Sequence, residues 1–206
     1  MSNSKEVDAL RLKVYLAYHR DGILDLAVGI IISGFSLFMV TGNVVFLAAG
    51  PIFASQYVPM KQRITIPRFG YVRFVSEKKS LAQSWFLVGL GVLVMFIVFA
   101  LNVFLRNGPS SPEMQAWTQR YHMVPLSAAL FGAPSLFVAV YLGLKRFYLY
   151  ALLAVSLPAL GAWLNVETFI PILAIGLVIL AYGIGLLSSF LKQNPINNEV
   201  DDHAGE

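Results

Sequence analysis

Cysteine is absent from the 206-residue chain, which excludes disulfides, thiolate metal sites, cysteine nucleophiles and lipoprotein attachment. Charge is scarce too: 13% of residues are Asp, Glu, Lys or Arg, about half the roughly 25% of an ordinary soluble domain. With 57% hydrophobic residues and a mean hydropathy of +0.69, such a chain cannot hide its apolar surface in water. Several apolar runs reach the ~18 residues that mark a bilayer span. The composition is that of an integral membrane protein. The stretch MSNSKEVDALRLKVYLAYHRDG lacks a short apolar core followed by a small-residue cleavage site, so no removable signal peptide is expected and the first span serves as the insertion signal.

Six spans fit the apolar pattern. Residues 23 to 58 would make a helix of about 54 Å at ~1.5 Å per residue, too long for a hydrocarbon core of about 30 Å. The turn-forming group Thr41-Gly42-Asn43 divides it into spans near 23–40 and 44–58, the second interrupted by Gly50-Pro51. Further spans are expected at 81–105, 123–144, 147–164 and 169–191, with Lys145-Arg146 and Asn165 to Thr168 as turns. The spacing assigns residues 1–22 to an amphipathic interfacial segment, 23–192 to the membrane domain and 193–206 to a polar, disordered tail. Ser111-Pro112-Glu113 reads as a helix start in the loop before the fourth span.

Charge tests the count, because Lys and Arg concentrate in cytoplasmic segments. With six spans and both termini cytoplasmic, every Lys and Arg except Arg106 and Arg120 falls on the cytoplasmic side. Treating 23–58 as one tilted span would place the basic N-terminal segment and the basic 60–80 loop on opposite sides. The hairpin of two spans is therefore expected.

Within that loop, RFGYVRFV (residues 68–75) interleaves aromatic and basic residues in a way that resembles half of an RNA-binding strand motif, with Arg68 where that motif wants glycine. An RNA-recognition domain needs on the order of 80 residues and a neighbouring aromatic strand, which a loop between two spans cannot supply. Nucleic acid is therefore excluded as a partner. Alternation over Ile64-Thr65-Ile66 and Tyr71 to Val75, around a turn at Pro67 to Gly70, predicts instead a small β-hairpin at the membrane surface. Its arginines would face anionic lipid headgroups or acidic side chains.

Two stretches, Arg20-Asp21-Gly22-Ile23-Leu24-Asp25 and Ile66-Pro67-Arg68-Phe69-Gly70-Tyr71-Val72-Arg73-Phe74, resemble a motif pair in a family of small uncharacterised bacterial multi-pass membrane proteins. There a "DG-x-x-D" entry to the first span precedes a "PR-x-GYV-basic-F" loop. The resemblance covers the first third of the chain and implies a bacterial inner-membrane setting, without assigning an activity.

A last scarcity bears on chemistry. No Asp, Glu, Lys, Arg or His lies near the centre of an expected span, Asp25 and Glu167 both being near ends, whereas coupled transporters and membrane hydrolases usually place such groups within the bilayer. Asp21 and Asp25, four apart beside His19, would suit a metal or proton site, but N-capping and the helix dipole account for both. Gly29 with Ser33, and Ala181 with Gly185, are small pairs that let helices approach. No catalytic residue, cofactor or metal is expected. The sequence reads as a non-enzymatic interaction or accessory membrane protein, the alternative being a small transporter or channel-like subunit for an apolar or neutral solute. Its partners would be lipid headgroups and a membrane protein or a second copy of the chain. The expected interaction residues are Asp21, Asp25, Arg68, Phe69, Tyr71, Arg73 and Phe74 at the cytoplasmic surface, with Arg68 or Arg73 pairing with Asp21 or Asp25.

Overall fold

The computed structural model describes residues 18–69, 100, 103 and 111–195, and every regular element among them is helical. The chain packs as two compact units. The first contains, of the described residues, 18–34, 43–69 and 176–195; the second contains 35–42 and 111–175.

α1 (Ile23–Thr41), whose residues 23–34 belong to the first unit, and α2 (Val45–Ile64) run antiparallel. The helix ends are written in the sequence. Gly42 takes φ 65° and its amide closes on the Phe38 carbonyl at 2.8 Å, the left-handed stop that only glycine adopts freely. Asn43 Oδ1 then accepts the Val45 amide at 3.0 Å and starts α2, so the chain turns at the expected Thr41-Gly42-Asn43. The expected break at Gly50-Pro51 does not occur: α2 continues through Pro51 and Pro59. Each proline removes one ladder hydrogen bond, but Gly50 lets Ile31 of α1 pack closely over this turn, and the tertiary contact holds the helix.

The first arm of the expected β-hairpin is also corrected. Ile64 is the last residue of α2, the Thr65 amide bonds back to the Lys61 carbonyl at 2.9 Å, and Ile66–Phe69 is a further helical turn, α3. Two alternating positions are too few to impose a strand on a preceding helix. What ends α2 is Pro67, which has no N–H to offer the Arg63 carbonyl. The hairpin's second arm, the interfacial helix up to residue 17, the tail from residue 196 and, apart from residues 100 and 103, the expected third span lie outside the described residues.

In the second unit, α4 (Pro112–Tyr121) begins at the expected Ser-Pro start and leads through α5 (Met123–Ser127) and a π-helical turn, Ala128–Gly132, into α6 (Ala133–Tyr141). The wider turn precedes Pro134, which cannot donate to the Leu130 carbonyl, and the Ala133 amide reaches the Ala128 carbonyl five residues back. Gly143 at φ 68° turns the chain into α7 (Arg146–Trp163). Ser127 donates to the Ala154 carbonyl of α7, and Arg120 of α4 donates at 2.7 Å to both the Ala162 and Trp163 carbonyls, adding a side-chain donor at the C-terminus of α7. After the turn at Asn165 comes α8 (Phe169–Gln193), where the Phe169 carbonyl accepts from Ser36 at 2.8 Å.

Four helices among the described residues are long and apolar enough to cross a membrane: Ile23–Thr41, Gln115–Tyr141, Arg146–Trp163 and Phe169–Gln193. The chain is a membrane-embedded helical protein. α2 is 20 residues long but carries Gln56, Lys61, Gln62 and Arg63 toward its end and does not belong to that set.

Within the first unit, α1 and α8 meet through small residues. A Cβ added to Gly29 would lie 2.8 Å from the Leu180 amide nitrogen, one on Gly176 2.8 Å from the Ser33 nitrogen, and one on Gly183 2.9 Å from the Leu26 nitrogen. The Gly29 and Ser33 pair thus does seat a helix, but its counterpart is Gly176 and Gly183, two helical turns apart, and not Ala181 with Gly185. Gly185 has nothing within 4 Å of its Cβ position. Gly183→Val should therefore destabilise the detergent-purified protein by about 1–3 kcal/mol, the usual range for overpacking. Gly185→Ala should leave its thermal unfolding unchanged or raise the midpoint, since glycine within a helix costs roughly 0.5–1 kcal/mol relative to alanine.

Candidate functional site

The polar residues of the first unit converge where α1 begins and α2 ends. Gly22 takes φ 75°, and a Cβ there would lie 2.5 Å from the Gly183 carbonyl oxygen. This turn aims the preceding carboxylate inward: Asp21 is fully buried, and its Oδ1 accepts the Ile23 amide at 3.2 Å, closing an Asx turn at the helix start. The other oxygen, Oδ2, accepts the Thr65 hydroxyl at 2.7 Å and lies 3.1 Å from Lys61 Nζ.

Lys61 and Thr65 reach the same carboxylate because they are four apart and α2 remains helical through Ile64. Lys61 is 4% exposed and Thr65 is fully buried. The lysine ammonium also donates to the Tyr18 carbonyl at 2.9 Å and stands 3.8 Å from the centroid of the Tyr18 ring and 5.5 Å from that of Tyr57. A buried ion pair is tolerated when further hydrogen bonds satisfy both ions. Here an amide, a hydroxyl, a carbonyl and an aromatic face supply them.

Beside Lys61 opens a cavity of about 320 Å³, with Tyr18 and His19 on one wall and Tyr57, Val58, Lys61, Gln62 and Ile66 on the other. The Tyr18 and His19 rings meet edge to face at 5.4 Å. Asp21 does not line this space. Lys61 therefore stands between the buried carboxylate and the opening. Among the described residues no group of three or more His, Asp or Glu side chains is placed to hold a metal ion.

The residues expected at an interaction surface divide. Asp21 and Asp25 are both completely buried and are not surface groups: the left-handed turn at Gly22 directs the first inward, and α8 packs against the second, a Cβ on Gly183 falling 3.2 Å from that of Asp25. Lys61, not Arg68, is the cation at Asp21. Arg68 turns back onto its own helix and donates to the Ile64 carbonyl at 2.8 Å. Phe69 closes α3, while Tyr71, Arg73 and Phe74 lie outside the described residues. Lys61, Thr65, Tyr18 and Tyr57 carry the site instead. The signal that could have found them is the i, i+4 spacing of Lys61 and Thr65, hidden once Ile64-Thr65-Ile66 is read as a strand.

Comparison with protein-family models, with curated proteins and with solved structures returns no match. Removing one partner of a buried pair strands the other, at a cost of about 3–5 kcal/mol. Lys61→Met should lower stability by that order, measured as thermal unfolding in detergent. Adding Asp21→Asn to the same protein should restore most of the loss, because a carboxamide removes the stranded charge, its oxygen still accepts the Ile23 amide and its NH2 can donate to the Thr65 hydroxyl oxygen.

Proposed function

We propose that the chain is a multi-pass inner-membrane protein of six spans, both termini cytoplasmic, acting as a non-enzymatic interaction or accessory subunit through the basic end of its first unit. The observation that supports this reading is the contact between Asp21 and Lys61. It ties the start of α1 to the end of α2, so the basic residues flanking both helices face one side. Arg20 and Arg63 are exposed there, and the same side would hold the basic residues of the 60–80 loop. That distribution fits a cytoplasmic face. α2, apolar from Val45 to Val58, would be the second span, and 81–105 the third.

The exposed apolar side chains of α7, among them Leu149, Leu152 and Val155, suit contact with acyl chains or with a membrane partner, either another protein or a second copy. A small transporter for a neutral solute is the second reading, favoured by the π-helical turn at Ala128–Gly132, since such turns often sit at functional sites. Solute flux through liposomes holding the purified protein alone would select it.

The topology is tested directly, because the chain has no native cysteine. With Arg63→Cys or Gln115→Cys as the single thiol, a membrane-impermeant maleimide should label position 63 only after the inner membrane is opened and position 115 from the periplasm. Labelling of both positions from the same side would overturn the six-span reading, and the reverse pattern would overturn its cytoplasmic orientation.

A further inference from the structure

The cavity beside Lys61 has a one-signed wall. Among the described residues of the first unit the only carboxylates are Asp21 and Asp25, and both are fully buried. Among the described residues of that unit the exposed charged ones are Arg20, Arg63 and Lys192, all basic. Lys61 and His19 line the cavity while the lysine's counter-ion lies behind it. An occupant therefore meets a lysine and a histidine side chain, with no described carboxylate of the unit in the wall.

The remaining wall is of another kind. Tyr18, Tyr57 and Ile66 are ring and hydrocarbon, and Val58 is 58% exposed. Gln62 adds a carboxamide able to donate a hydrogen bond. The volume, about 320 Å³, lies at the lower bound of the roughly 300–1,000 Å³ of small-ligand sites. Its position is equally telling: Tyr18 and His19 come just before the apolar run that starts at Ile23, at the level where a bilayer places its headgroups.

We infer that this cavity binds the anionic group of an amphiphile, its phosphate set against Lys61, His19 and Gln62 and its glycerol and first acyl carbons against Tyr57, Val58 and Ile66. Tyrosine is suited to such a wall, since its ring is apolar and its hydroxyl tolerates the wet interface. The site rests on the reading of this end as headgroup-facing and gives that reading a single binding pocket. The same phosphate chemistry could arrive as a membrane lipid or as a free phosphate ester.

Native mass spectrometry of the full chain in detergent micelles tests the inference, using phosphatidylglycerol, phosphatidylcholine and glycerol 3-phosphate as probes. Saturable binding of phosphatidylglycerol, with phosphatidylcholine much weaker, is expected. His19→Ala and Gln62→Ala should each weaken it about tenfold, as expected for the loss of a hydrogen bond to a charged group. Gln119→Ala, on the exposed side of α4, should bind as wild type. Displacement of the lipid by equal glycerol 3-phosphate would assign the site to the free ester; failure to displace it would assign the site to the lipid. Non-saturable lipid uptake, or affinities unchanged in both His19→Ala and Gln62→Ala, would overturn the proposal. Gln62 is exposed, so its substitution keeps the test valid even if His19→Ala does not fold. Maleimide labelling is read separately: a correct topology with no lipid site removes the pocket alone, and a reversed topology removes the cytoplasmic assignment.

Discussion

Burying a carboxylate without partners is among the most costly things a fold can do, and Asp21 is buried without residual exposure. Much of the first unit follows from that constraint. A cation must come close, a hydroxyl must fill the second lone pair, and the segment carrying both must keep a helical phase so that Lys61 and Thr65 share one face. Once that phase is set, Tyr57 falls on the same side of α2 and joins Tyr18 around the ammonium. An apolar pair of equal volume could be as stable. What the ionic version adds is register, since a shift of α2 by one residue would strand both charges.

The two units are held by different means. In the first, backbones approach through Gly22, Gly29, Gly176 and Gly183, which exclude a side chain exactly where a neighbouring helix passes. In the second, polar side chains reach carbonyls of other helices: Ser36 to Phe169, Ser127 to Ala154 and Arg120 to the end of α7. Both devices suit a medium in which apolar burial gives little preference for one helix partner over another. Close contact and hydrogen bonds then decide which helices pair.

The sequence made the helical membrane class legible, along with the turns at Thr41-Gly42-Asn43 and Asn165 and the start at Pro112, because glycine, asparagine and proline act locally and need no knowledge of the fold. It was less informative where a tertiary contact overrides a local signal. Gly50-Pro51 looks like a break and is carried through by packing on Ile31. Ile64-Thr65-Ile66 alternates like a strand, yet it is helical where Thr65 meets Asp21. Composition also described Lys61 as one more surface cation of a basic loop. Only the left-handed turn at Gly22, which points a carboxylate inward, reveals it as a buried counter-ion. The glycine seam was half visible: Gly29 and Ser33 stand out by spacing, whereas their partners on α8 are separated by two turns and by a leucine.

That seam has a consequence for biogenesis. Asp25 belongs to α1, and the helix that packs over it, through Gly183, follows it much later in the chain. Until α8 has been synthesised and inserted, α1 must hold that carboxylate in the membrane without this cover. The nascent hairpin of α1 and α2 can close its own charge pair early, but the seam along α1 stays open until α8 has been made. Assembly of the first unit is thereby timed by its most distant helix, and a chain truncated before α8 would offer the membrane quality-control machinery an uncovered acidic helix.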